Sequence, residues 1–120
     1  MQNYKDLKVW QRAHEWVLRL YEVTRTYPSD ERFGLVSQLR RAGVSVAANL
    51  VEGSGRRTNT QFARFTEISY ASAAEVEYLL LLSRDLRYLE EARHRQLEDN
   101  IGEIKRMLAG LLKKLTTDNR

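Results

Sequence analysis

The chain of 120 residues has no cysteine, which excludes disulfides and thiolate metal sites and leaves nothing that calls for an oxidising compartment. Proline occurs once, as Pro28, and the six glycines stand at 34, 43, 53, 55, 102 and 110, so long stretches hold nothing that interrupts a helix. Long apolar runs are missing too. The longest, Leu79-Leu80-Leu81-Leu82, falls far short of the roughly 20 residues a membrane span needs, and Met1 to Asp6 lack the apolar block of a signal peptide. These absences predict a cytoplasmic protein with no membrane partner. The length suits one domain over residues 1–120, and 42% apolar with 30% charged residues argues against disorder except at the ends.

Apolar spacing sets the fold class. Trp10, Ala13, Val17, Leu20, Thr24 and Tyr27 alternate three and four apart, as one face of a helix does. Asp6 is placed to cap this helix, and the Tyr27-Pro28 step ends it, because a residue before proline is pushed out of the helical region. Ser29 is the expected cap of a second helix, with Val36, Leu39, Gly43, Val46 and Leu50 on its face and Gly53 suited to a left-handed residue after its end. A third helix, capped by Asn59 or Thr60, carries Phe62, Phe65, Ser69, Ser72, Val76, Leu79, Ser83 and Leu86. The nearly all-small stretch from Ser69 to Ala74 predicts a close helix crossing. Ile68, Tyr78, Leu80, Leu81 and Leu82 make this helix apolar on more than one side, so it is expected to contact several neighbours or a second chain. Leu97, Ile101, Ile104, Leu108, Leu111 and Leu115 mark a fourth helix, with Lys113 and Lys114 in its last turn, where the helix dipole favours positive charge. Helices over about 7–27, 30–52, 61–88 and 92–115, joined by short links, predict an all-α, antiparallel up-and-down four-helix bundle.

Chemistry-bearing patterns are sparse. Glu91-Ala-Arg-His94 has the Glu-x-x-His spacing of bundle metal sites but stands alone, since His14 has Gln11 three residues before it; no metal or other cofactor is expected. Ser54 between Gly53 and Gly55 reads as a helix stop, because no strand precedes it and the Lys-Ser/Thr of a phosphate loop is absent. No catalytic residue set emerges, and the chain is expected not to be an enzyme. Asn49, Glu52 and Glu75 stand out as polar groups near core positions. They either stitch the end of the second helix to its loop through Arg56, Arg57 or Arg64, or form a ligand site.

Charge is unevenly spread. The net charge is +4, yet from Arg32 to Arg64 six arginines (32, 40, 41, 56, 57 and 64) accompany one carboxylate, Glu52. Arg40, Arg41, Arg56, Arg57 and Arg64 are therefore candidates for phosphate contact with RNA or DNA, since the planar guanidinium pairs with phosphate. The other reading of the same strip is a solvated or subunit-bridging face. Tyr4, Trp10, Tyr21, Tyr27 and Tyr70 could stack on bases, although most lie on helix seams, where core packing also uses them.

Asp6-Leu-Lys-Val-Trp10-Gln-Arg-Ala13, Gly34-Leu-Val-Ser-Gln38-Leu-Arg40-Arg41-Ala42, Glu52-Gly53-Ser54-Gly55-Arg56, and Phe62-x-x-Phe65 leading to Ser72-Ala-Ala-Glu75-Val-Glu77 resemble the bacterial four-helix-bundle proteins encoded in intervening sequences of large-subunit ribosomal RNA genes. The resemblance covers nearly the whole chain and is most specific from Gln38 to Arg56. It implies a four-helix bundle assembled as a ring, a homopentamer, with a basic surface. The chain also resembles the accessory protein of diversity-generating retroelements, which implies nucleic acid and a protein partner. One departure is Ala47, within Ser45-Val-Ala-Ala-Asn49-Leu50, where such relatives often carry proline; the kink that proline would impose is weakened. Non-enzymatic nucleic-acid binding by a homo-oligomer is the expectation, with a protein-interaction scaffold as the alternative.

Overall fold

Four long helices form, α1 (Lys8–Thr24), α2 (Leu35–Ser54), α3 (Asn59–Asp85) and α4 (Glu91–Thr117), and the described residues contain no strand. The computed structural model describes residues 3–117. The helices make an antiparallel bundle 48 Å long and 23 by 20 Å across. α2 packs most extensively on α3, then α3 on α4, with α1 closing the ring against α2 and α4.

The core follows from the periodicity. Val36, Leu39, Gly43, Val46 and Leu50 of α2 are all buried, as are Leu97, Ile101, Ile104, Leu108 and Leu115 of α4. Each fully buried leucine or isoleucine contributes about 1.5 to 3 kcal/mol by leaving water. On α1 the buried residues are Val9, Ala13, Trp16, Leu20, Val23 and Thr24, a stripe that shares Ala13, Leu20 and Thr24 with the expected face and adds Val9, Trp16 and Val23. Trp10 and Val17 are only partly buried, and Trp16 takes the central place, its indole N–H donating to the Leu97 carbonyl on α4 at 3.1 Å. Leu86, expected on the α3 seam, lies beyond the helix and is exposed.

The close crossing expected of the small residues on α3 is present. Ser69 donates to the Val46 carbonyl at 2.7 Å, and the Ser45 and Ser72 hydroxyls are 2.7 Å apart, so α2 and α3 are tied through their backbones and short side chains. At Gly53 a Cβ would come within 2.8 Å of Phe62 and 2.9 Å of the Phe65 Cβ.

The helix ends differ from the expectation in several places. α1 stops at Thr24, with Tyr27 buried beyond it. Ser29 does not cap α2; it opens a single 3-10 turn, Ser29–Glu31, and α2 begins at Leu35. Gly34 precedes it, and the Glu31 carboxylate accepts the Leu35 N–H at 3.1 Å in place of a capping side chain on the neighbouring residue. Gly53 is not left-handed but lies inside α2, since a helix this close to Phe62 and Phe65 has no room for a side chain there. Thr58, rather than Asn59 or Thr60, caps α3 by accepting the Gln61 N–H at 3.2 Å. Asp6 belongs to a 3-10 turn, Tyr4–Asp6, and α1 starts after Leu7 without a side-chain cap.

Candidate nucleic-acid interface

Antiparallel packing decides which charges meet. Gly43 lies against Leu20 and Trp16 while Arg40 reaches Tyr21 and Thr24, Val46 meets Ser69 while Gly53 faces Phe62 and Phe65, and Trp16 meets Leu97 while Arg12 pairs with Glu103, so neighbouring helices run in opposite senses. The α2–α3 connection therefore shares one end of the bundle with the start of α1 and the last turns of α4. The α1–α2 and α3–α4 connections share the other.

Among the described residues, counting the six nearest each helix end and the segments beyond, Lys5, Lys8, Arg12, Arg56, Arg57, Arg64, Lys113 and Lys114 lie at the first end with two carboxylates, Asp6 and Glu52. Of these, Arg12 pairs with Glu103 of α4 and Arg56 with Glu52 at 3.4 Å, and the Arg56 guanidinium also lies 4.8 Å from the centre of the Phe65 ring. Arg56, Thr60, Gln61, Arg64 and Phe65 line a shallow depression at this end. Unpaired cations gathered on one surface raise its potential and draw anions to it. The four lysines had no mark as site residues in the sequence, because they lie near the chain ends. The signal that finds them is topological, since an even number of antiparallel helices returns the last turns of α4 to the end where α1 began.

The arginine strip does not stay together. Arg41 is exposed on α2, but fifteen residues from Arg56, which at about 1.5 Å per residue is ~22 Å along the helix. Arg40 is engaged within the bundle. Its Nε donates to Thr24 at 3.0 Å, its Nη2 to the Tyr21 carbonyl at 3.2 Å, and its guanidinium stacks 4.3 Å from the Tyr21 ring. That set satisfies a carbonyl near the end of α1 and ties α1 to α2.

The polar residues also separate. Asn49 donates to the Ser45 carbonyl and hydroxyl, both at 2.9 Å, and so stays within α2 beside the Ser45–Ser72 contact. Glu52 pairs with Arg56 across one turn, while Glu75 is exposed on α3. These three carboxylate and amide groups form no shared cluster. His94 is buried on α4, 3.5 Å from the Glu98 carboxylate, and Glu91 is exposed in the first turn. No group of three or more metal-ligating side chains occurs among the described residues.

At the opposite end, counted to the same depth, eight arginines (19, 25, 32, 40, 84, 87, 93 and 95) accompany six carboxylates (22, 30, 31, 85, 90 and 91). Glu31 accepts the Tyr88 hydroxyl at 3.0 Å as well as the Leu35 N–H, linking the two connections. That bond to a carboxylate raises the Tyr88 pKa above its ordinary value, and burial raises that of Tyr27, whose ring lies 5.6 Å from that of Tyr88. The α3 helix ends here on Arg87 in a left-handed conformation, φ 66°, with the Tyr88 N–H returning to the Ser83 carbonyl at 3.0 Å.

These features define an all-helical bundle with none of the residue constellations of an enzyme among the described residues. The family model for the 23S rRNA-intervening sequence protein matches residues 5–110, and the chain belongs to that family. Among solved structures it is similar to a protein of unknown function from the S23 ribosomal protein family of Bacteroides thetaiotaomicron VPI-5482. The two share 23% identity over 88% of this chain and 95% of the other, with a TM-score of 0.82, a likeness of fold. No curated protein sequence matches. None of the helices among the described residues is long and apolar enough to cross a membrane.

Proposed function

We propose that the chain is a non-enzymatic, cytoplasmic subunit of a homo-oligomer that binds nucleic acid, RNA or DNA, through its basic end. The observation that carries this reading is the surplus of eight cations over two carboxylates, among the described residues, where the α2–α3 connection, the start of α1 and the last turns of α4 converge, with only Arg12 and Arg56 in ion pairs. Packing uses almost none of this charge. Phosphate is the ligand that answers it, because each phosphate neutralised releases condensed counterions and adds to affinity. A family named for 23S ribosomal RNA intervening sequences is in keeping with such a ligand.

Assembly is the second part of the proposal. Ile68 and Tyr78 are 44% and 60% exposed on the outward side of α3, where an isolated bundle gains nothing from them. They are the surface on which copies of the chain would meet, the homopentamer being the assembly the resemblance implied. The same surface supports the rival reading, a scaffold for a protein partner without nucleic acid.

Electrophoretic retention of a labelled RNA or DNA by the full chain tests the binding. Micromolar or tighter affinity at low salt, falling steeply as salt rises and when Arg56, Arg57 and Arg64 are changed to Ala, is expected. Absence of retention at low salt sinks the proposal, and nuclease-resistant capture of one defined protein partner then favours the scaffold. Light scattering of wild type against Tyr78→Glu reads the assembly.

A further inference from the structure

We propose that the basic end prefers single-stranded nucleic acid and stacks an unpaired base on the His14 imidazole. This rests on the nucleic-acid reading above and adds a platform to it. Trp10 and His14, one turn apart on α1, lie with rings 6° from parallel and centroids 5.0 Å apart, and Tyr4 meets Trp10 edge-on at 4.9 Å. Trp10 is partly buried against the core, but the imidazole stacked on it lies outside that core. Trp16 fills the α1 position at the centre of the bundle, whereas Trp10 is only partly buried and His14 is exposed. Among the described residues His14 makes no hydrogen bond or ion pair, and its one ordered contact is the indole.

The stack also stands in the right place. With Gly43 against Leu20 and Trp16, the antiparallel register sets Trp10 level with the last turns of α2, and the Tyr4–Asp6 turn packs against α2 itself. The aromatic group thus borders the point where Arg56 and Arg57 leave the helix. A strand whose phosphates follow those cations brings its bases to the indole–imidazole column. Every base has a π-face, so stacking adds affinity with little sequence preference. A duplex keeps those faces covered by its own stacking and gains only the phosphate contacts.

The test compares three labelled probes with the full chain at low salt: a twelve-residue oligouridylate, an abasic ribose-phosphate oligomer of equal length, and an RNA duplex of equal length. Oligouridylate is expected to bind about tenfold more tightly than the abasic oligomer, as one stacked base supplies. Tryptophan emission should fall with oligouridylate and not with the abasic oligomer. His14→Ala, at an exposed position that leaves the core intact, should erase the difference while leaving abasic affinity unchanged, and Trp10→Phe should keep part of it. Equal affinity for oligouridylate and abasic oligomer, a duplex bound as tightly as the single strand, or a difference that survives His14→Ala overturns the stacking platform and leaves the basic end standing. Failure to bind any of the three probes removes the nucleic-acid reading and this one with it.

Discussion

At the end where α1 meets α2 and α3 meets α4, eight arginines accompany six carboxylates, and Glu31 alone holds both the Leu35 N–H and the Tyr88 hydroxyl; at the other end, among the described residues, eight cations accompany two carboxylates and two ion pairs. The first arrangement is what folding asks for. Charges there are nearly balanced, and polar side chains close the backbone groups that helix ends leave open. The second is not explained by folding, because like charges crowded together repel and lower stability. A surplus that folding does not use points to a ligand, and this contrast locates the interface better than the arginine strip alone.

The largest way to break the comparison is to reverse the charge. Arg56, Arg57 and Arg64 changed together to Glu should weaken nucleic-acid binding by roughly 100-fold at low salt, whereas Arg25, Arg32 and Arg93 changed to Glu at the balanced end should move it by less than about threefold. Fluorescence anisotropy with one labelled oligonucleotide reads both. Next in size is packing beside the basic end. Gly53→Ala meets Phe62 and the Phe65 Cβ below 3.0 Å and should cost about 2 kcal/mol in urea unfolding. Gly43→Ala meets the movable tip of Leu20 at 2.8 Å and should cost less, since alanine regains up to about 1 kcal/mol of helix propensity.

At the balanced end, Tyr88→Phe should lower the urea midpoint slightly by removing the bond to Glu31. The sign of its pH dependence follows from the raised pKa. The stabilisation is fully present below the ordinary tyrosine value near 10 and is lost as pH rises through the higher folded value. Tyr27, raised by burial, and Lys105, raised by its bond to Glu77, act in the same direction. Wild type should therefore lose stability above about pH 10, and Tyr88→Phe should lose less over that range. Urea midpoints between neutral and strongly alkaline pH check this. The smallest effect expected is a gain: Arg87→Gly relieves a left-handed non-glycine residue and should stabilise by up to about 1 kcal/mol, measured as a rise in Tm.

Bundle and seams were legible in the residues because helical periodicity records which side faces the core, and α2 and α4 carry it cleanly. On α1 two tryptophans and several valines allow two stripes about one residue apart, and only the neighbouring helices select the one centred on Trp16. Gly53 looked like a helix stop because glycine both ends helices and permits close approach; the distant Phe62 and Phe65 make it the latter. The left-handed residue is Arg87, where no glycine announced it. For the site, Arg56, Arg57 and Arg64 were visible as a local cluster. Arg40 left that group because Tyr21 and Thr24 engage it, and Lys5, Lys8, Lys113 and Lys114 joined it through a fold that brings distant segments to one end.

The central claim, that the basic end of the bundle is the surface that meets phosphate, is tested most directly by the slope of log affinity against log salt. With Arg56, Arg57 and Arg64 changed to Ala the slope should flatten by about 2 to 3 relative to wild type, near 0.7 to 0.9 for each phosphate that the protein no longer neutralises, while Arg25, Arg32 and Arg93 changed to Ala should leave it unaltered. Identical slopes for both variants, or a larger change from the balanced end, would contradict the account.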